Sequence, residues 1–119
     1  MDSISALLKL LRVLQTIDPE FPLQYAVCLV LISQDEGLSL TTLSQRAELS
    51  LSTTSRIVGA LSQYRQSGEA YNLVKLHISP QERRRKEIYL TDSGRRVILE
   101  ASALFTPLEA RSITMQHRA

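Results

Sequence analysis

The segment from Leu40 to Leu61 constrains this chain more than any other. It reads as two short helices joined by a tight turn, the second built to leave one face without apolar cover. On a wheel of about 100° per residue centred on Thr54, Ile57, Val58 and Leu61 fall within roughly 60° of it, a stripe that packs on a core. Ser52, Arg56, Gly59 and Gln63 lie opposite, flanked by Thr53, Ser55 and Ala60. A merely solvated face normally carries Glu and Lys, yet no acid occurs from Ser50 to Gly68. Short hydroxyl side chains let a helix backbone approach a polar partner closely, and Arg bonds a phosphate or a guanine edge.

Upstream, Thr41 to Ala47 has Leu43 and Ala47 at packing spacing, with Ser39 or Thr41 placed to cap. Glu48-Leu49-Ser50 supplies the turn, and Ser50 or Ser52 is placed to cap the second helix. Two readings follow from these residues alone: a helix-turn-helix reader, or an ordinary helical hairpin with a Ser/Thr-rich surface.

At 119 residues the chain is long enough for one domain with its own core. The longest apolar run, Ala26 to Ile32, is far short of a membrane span. The N-terminus lacks signal-peptide organisation, and one cysteine forms no internal disulfide, so a cytoplasmic location is expected. The net charge of +2 hides an asymmetry. Residues 1–50 hold three basic against six acidic residues, whereas residues 51–100 hold nine against five. Positive charge therefore collects in the half that holds the uncovered helix, the footprint expected of a nucleic-acid binder.

Taken in order, Ile4 to Ile17 predicts a helix that is apolar over most of its circumference, hence covered on more than one side. For a terminal helix a second subunit is the favoured cover, the alternative being a central helix wrapped by its own chain. Pro22 opens a core helix over Leu23 to Ile32 that carries Cys28, read as a buried structural thiol. Gln34-Asp35-Glu36-Gly37 makes a turn, and Leu38-Ser39-Leu40 is extended. The second helix of the central unit is expected to cover about 52–64, and Gln66 to Glu69 then breaks it. Tyr71 to Ile78 and Glu87 to Leu90 alternate in polarity and predict an antiparallel hairpin. Val74, Leu76 and Ile78 share one face, with Ile88 and Leu90 inward. Its tip carries four consecutive cations, Arg83, Arg84, Arg85 and Lys86. Such a run discourages edge-to-edge pairing, forms ion pairs with Glu82 and Glu87, or reaches phosphates. Thr91 caps a last helix whose packed face is Val97, Ile98, Ala101 and Leu104 or Phe105, ended by Pro107; residues 111–119 read as a tail.

This order predicts a mainly α fold with a small β-hairpin wing: a winged helix-turn-helix of about five helices and a two- to three-stranded sheet. The chain also resembles the MarR family of transcription regulators over roughly Pro22 to Leu104. In place of that family's Leu-Ser-x-Ser-Thr-x-x-Arg it has Leu49, Ser50, Ser52, Thr53 and Arg56. Against the wing motif Asp-Pro-x-Asp-Arg-Arg and the following Leu-Thr-x-x-Gly stand Ser79-Pro80-Gln81-Glu82-Arg83-Arg84 and Leu90-Thr91-Asp92-Ser93-Gly94. Ser79 replaces the first wing acid, Gln81 stands where Arg is frequent, and Tyr64 to Asn72 is a longer link than usual.

The resemblance implies a homodimer that places two recognition helices in successive major grooves of double-stranded DNA, half-sites about 10 base pairs apart. It implies a DNA-binding core over 22–90 and dimerisation helices over 3–17 and 92–110. The expected contacts are Ser50, Ser52, Thr53, Ser55, Arg56 and Gln63 on the reader, with Arg83, Arg84, Arg85 and Lys86 on the wing. Relatives often respond to small-molecule effectors, but no residue set here commits the chain to one. Catalysis finds no support. His77 and His117 have no partners at metal-ligand spacing, and neither a phosphate loop nor a nucleophile elbow occurs, so no cofactor is expected. The rival functions are a winged-helix protein-interaction module and a replication-associated one; a protein-docking version would expose apolar groups at 52, 56, 59 or 63.

Overall fold

The computed structural model describes residues 2–63, 70–82 and 85–102. The expectations for Arg83, Arg84, Leu104, Phe105, Pro107, residues 64–69 and the tail therefore lie outside the described residues. The elements run α1 (Ser3–Ile17), α2 (Leu23–Gln34), α3 (Leu40–Ala47), α4 (Leu51–Leu61), β1 (Val74–Ile78), β2 (Lys86–Leu90) and α5 (Asp92–Ser102). By its contacts the chain divides into two compact units, one formed by Pro22–Arg95 and the other by the segments on either side of it.

Within Pro22–Arg95, α2 is the central helix, packed against α3, α4 and β2. Its apolar sequence buries Ala26, Cys28, Leu29 and Ile32, while Leu23, Val27 and Val30 on its other side stay exposed. Burial raises the Cys28 thiol above its ordinary pKa, which keeps it protonated and unreactive. The helix runs two residues beyond the expected Ile32, to Gln34. Leu43, Ile57, Val58, Leu61, Val74, Ile88 and Leu90 complete the core.

β1 and β2 pair antiparallel, with Val74 opposite Leu90, Leu76 opposite Ile88 and Ile78 opposite Lys86. The alternation of the sequence therefore gave the right faces. Its burial does not follow, because Leu76 and Ile78 remain 42% and 65% exposed while Ile88 is fully buried. The helices α2 and α3 cover β2, and β1 is the outer strand. On the inner side β2 meets the extended segment before α3: Gly37 N–H donates to Ile88 O at 2.7 Å, and Ile88 N–H donates to Leu38 O at 3.0 Å. A single bridge pairs Ser39 with Glu87. The expected third strand is thus a bridge beside a two-stranded sheet.

Thr91 caps α5 as the sequence predicts. Its hydroxyl accepts from Gly94 N–H at 3.0 Å and donates to Asn72 O at 2.8 Å, and its N–H donates to Leu73 O. This brings the first turn of α5 against the backbone of Leu73, where a Cβ on Gly94 would overlap the Leu73 carbonyl oxygen. Gly94→Ala is therefore expected to destabilise the fold by at least about 1–3 kcal/mol, the range for an overpacked site. Urea unfolding of the two proteins measures it, and an unchanged midpoint would show that α5 shifts without strain.

α1, in the other unit, starts from Asp2, whose carboxylate accepts from Ser5 N–H at 2.7 Å. Leu14 is buried, but Ile4, Leu7, Leu8 and Leu11 are exposed large apolar groups, Ile4 by 75%. On α5, Val97 and Ile98 are half-buried and Leu99 is exposed.

Candidate nucleic-acid interface

The interface is built from the ends of helices. Ser39 precedes α3, and its hydroxyl accepts from Thr42 N–H at 3.1 Å; Ser50 does the same for α4, accepting from Thr53 N–H at 3.1 Å. Of the alternatives open in the sequence, these two serines cap because each stands one residue before the first helical position. Between the helices the chain turns at Glu48, in the left-handed region at φ 57°, and Leu49 N–H donates back to Ser44 O.

α4 shows the expected division. Thr54, Ile57, Val58 and Leu61 are buried, while Ser52, Ser55, Arg56 and Gln63 are exposed and Thr53 is half-exposed. Two details differ from expectation. Ala60, placed on the flank of the open face, is buried, and α4 ends at Leu61 rather than continuing to 64. The break comes where Ser62 turns out of helical geometry and the chain folds back, with Tyr71, Asn72 and Leu73 donating to the carbonyls of Ala60, Ser62 and Leu61. At the front of α4 the polar groups are already interlinked. Ser50 Oγ donates to Thr53 Oγ1 at 2.9 Å, and Arg56 Nη2 donates to the same oxygen at 3.3 Å.

The wing departs from its motif at Ser79, and the geometry explains why serine suffices. Its buried hydroxyl accepts from Gln81 and Glu82 N–H, both at 3.3 Å, as a carboxylate would. Ser79 N–H donates to Arg85 O at 2.8 Å, closing the hairpin. Lys86 belongs to the first pair of β2, opposite Ile78, rather than to the tip. Glu87 accepts from Tyr89 Oη at 3.2 Å.

These parts meet at one surface. Ser39, Leu40, Thr41, Thr42 and Leu51 line an open groove of about 920 Å3 together with Glu82, Arg85 and Lys86. The base of the cationic hairpin and the leading ends of α3 and α4 thus share one side of the unit. Among the described residues no cluster of His, Cys, Asp or Glu could hold a metal ion, and no helix is long and apolar enough to cross a membrane.

Sequence profiles match the IclR helix-turn-helix domain at residues 29–65, which span the end of α2, α3 and α4. No curated protein matches the sequence. Solved structures do match in fold. The S. aureus MepR–DNA complex aligns with a TM-score of 0.67 at 19% identity, over 90% of this chain and 80% of that one. The PcaV transcriptional regulator from Streptomyces coelicolor gives 0.61 at 22%, over 85% and 70%. A MarR transcriptional regulator from Methanosarcina mazei Go1 gives 0.62 at 18%, over 96% and 89%. The chain has the winged helix-turn-helix fold of MarR-type regulators.

In this winged helix the wing is held by Glu36, which the sequence reading assigned only to a turn. Its carboxylate accepts from Leu90 N–H at 2.8 Å and from both terminal nitrogens of Arg95, at 2.9 and 3.2 Å. The contact joins the turn after α2 to the end of β2 and the first turn of α5. Partial burial on its own would raise the carboxyl pKa. The hydrogen bonds from Arg95 and Leu90, with the charges of Arg95 and Lys75, outweigh it and hold Glu36 below the ordinary carboxylate value. A depressed folded pKa gives stability that is complete above the unfolded value, about 4.3, and is lost as pH falls through the folded one. Glu36→Gln is expected to cost about 1 kcal/mol near neutrality, since Arg95 is half-exposed and screened. Thermal melts of both proteins from pH 7 to pH 3 should converge in acid; parallel curves would remove Glu36 as the titrating group.

Proposed function

We propose that this chain is a sequence-specific double-stranded-DNA-binding transcriptional regulator, a repressor that acts as a cytoplasmic homodimer. The observation that carries the reading is the shared groove, which puts Arg85 and Lys86 on the same side as the leading ends of α3 and α4. A phosphate strand laid in it meets two cations against the single carboxylate of Glu82, the hydroxyls of Thr41 and Thr42, and the positive end of α3. α4 then enters the major groove with Ser50 at its cap and Ser52, Thr53, Ser55 and Arg56 toward bases and flanking phosphates, and Gln63, two residues past the end of the helix, is assigned to the same contact. Arg83 and Arg84 extend the same cationic run in sequence and are assigned to the backbone or minor groove with Arg85 and Lys86.

The MepR structure similar to this chain is a complex with DNA, which supports carrying that ligand over. The fold by itself would also serve protein docking. Against that rival, positions 52, 56 and 63 are exposed and polar, with no aromatic or aliphatic group among them. The exposed face of α1, with Ile4, Leu7, Leu8 and Leu11, supports a second copy as its cover. Residues 3–17 and 92–110 are accordingly assigned to dimerisation, 22–90 to DNA binding and 111–119 to a tail.

A mobility-shift assay against the DNA immediately upstream of the protein's own reading frame tests the proposal, with duplexes selected from a random pool as the second arm. Tight binding with half-sites about 10 base pairs apart is expected. No retarded species at low ionic strength with any duplex would end it. Replacing Arg85 and Lys86 with Ala should weaken binding to every sequence alike and flatten the salt dependence by about 2 per protomer. Arg56→Ala should leave that slope nearly intact and relax base preference at one position, by roughly 1–3 kcal/mol of discrimination. A salt titration of both variants separates the two roles; an exchanged pattern would reverse the assignment.

A further inference from the structure

Leu51 has no part in the reading so far. On the helical wheel it falls beside Val58, on the side of α4 that packs on the core. The structure leaves it 51% exposed, because it is the first residue of α4 and stands a turn ahead of the buried Thr54 and two ahead of Val58. It lines the groove in company with Thr41, Thr42, Arg85 and Lys86, and with Leu40 and Glu82; of the two leucines it is the one carried by α4.

Helix geometry determines where such a residue points. Each Cα–Cβ bond tilts toward the N-terminus, so the side chain of a first residue projects forward past the helix end. Its polar neighbours are hydrogen-bonded to one another and can exchange those bonds for a ligand's: Ser50 caps Thr53 N–H, Ser50 and Thr53 share a hydroxyl hydrogen bond, and Arg56 leans on Thr53 Oγ1. The group presented at the front of the helix without internal hydrogen bonding is therefore an isobutyl group. Against a base edge it would desolvate polar atoms without replacing their hydrogen bonds at every base but one. In the major groove only thymine presents an apolar group, its C5-methyl.

We propose that Leu51 is a specificity-determining residue that selects thymine at one position of each half-site through the C5-methyl. The proposal rests on the DNA-binding reading above and adds to it an apolar contact absent from the polar set at 50–63.

Replacing thymine by uracil removes that methyl and leaves the Watson–Crick pair unchanged. A high-affinity duplex would first be selected from a random pool with the full-length protein. Each thymine in one half-site would then be replaced singly by uracil. Binding of the wild type, Leu51→Ala and Leu51→Met would be measured by fluorescence anisotropy. The wild type is expected to lose about fourfold in affinity at one thymine, the worth of one buried methyl. Leu51→Met, which keeps the apolar reach, should retain that penalty. Leu51→Ala should bind the thymine and uracil duplexes equally, and since the side chain is exposed its thermal melt should match the wild type. Tight wild-type binding with no thymine showing a penalty overturns the role of Leu51 alone, as does a penalty that persists in Leu51→Ala. Failure to select any duplex overturns the DNA-binding reading together with this one.

Discussion

The geometry of the reading unit depends on four consecutive residues, Glu36 to Ser39. Glu36 accepts from the end of β2 and from Arg95 of α5, Gly37 and Leu38 exchange hydrogen bonds with Ile88, and Ser39 bridges Glu87 while capping α3. A two-stranded hairpin is marginal by itself, and here its outer strand leaves Leu76 and Ile78 uncovered. What fixes the wing is its attachment to the segment that immediately begins α3. Gly37 is required for that attachment: it sits at φ +95°, and a Cβ there would press on the Tyr89 ring within 3.2–3.6 Å. The positions of Arg85 and Lys86 relative to α3 are therefore set by backbone pairing rather than by side-chain choice.

That rigidity bears on how the surface meets a ligand. Fixed geometry reduces the ordering cost of binding, since few groups need to be immobilised in the complex. The side chains at the tip of α4 are held lightly in comparison. Arg56 rests on Thr53 Oγ1 at 3.3 Å in an exposed setting, a weak contact that a phosphate or base edge can replace at little cost. Backbone and caps are pre-organised, while the long cationic side chains keep the freedom to choose a partner.

The helices were legible because burial follows the 3.6-residue period: the stripe Thr54, Ile57, Val58 and Leu61 is the buried face of α4. The hairpin register was legible for the matching reason at period 2. Depth of burial was not, because alternation in β1 marks a face without saying whether anything lies above it; cover reaches β2 and only Val74 of β1. Ala60 was misplaced since a wheel position at the edge of a stripe is decided by the neighbouring chain. The Glu36–Arg95 contact spans 59 residues and leaves no local pattern, so Glu36 read as turn. Leu51 was hidden by the wheel itself, which treats the first turn of a helix as though the core continued beneath it.

The two kinds of exposed surface call for different partners. Ile4, Leu7, Leu8 and Leu11 on α1 offer area that water solvates poorly, which a protein surface covers well and a polyanion does not. The groove beside α4 is mixed, with the hydroxyls of Ser39, Thr41 and Thr42 and the cations Arg85 and Lys86 beside Leu40, Leu51 and Glu82. In the proposed function one reading unit brings five cations to a duplex, Arg56, Arg83, Arg84, Arg85 and Lys86. With so few phosphates neutralised, a single unit would hold DNA weakly at physiological salt. Pairing through α1 would supply a second reader, and the second contact would then form at high effective concentration. In the proposed function, then, the apolar helix and the cationic groove are complementary, the first suited to a protein surface and the second to a polyanion.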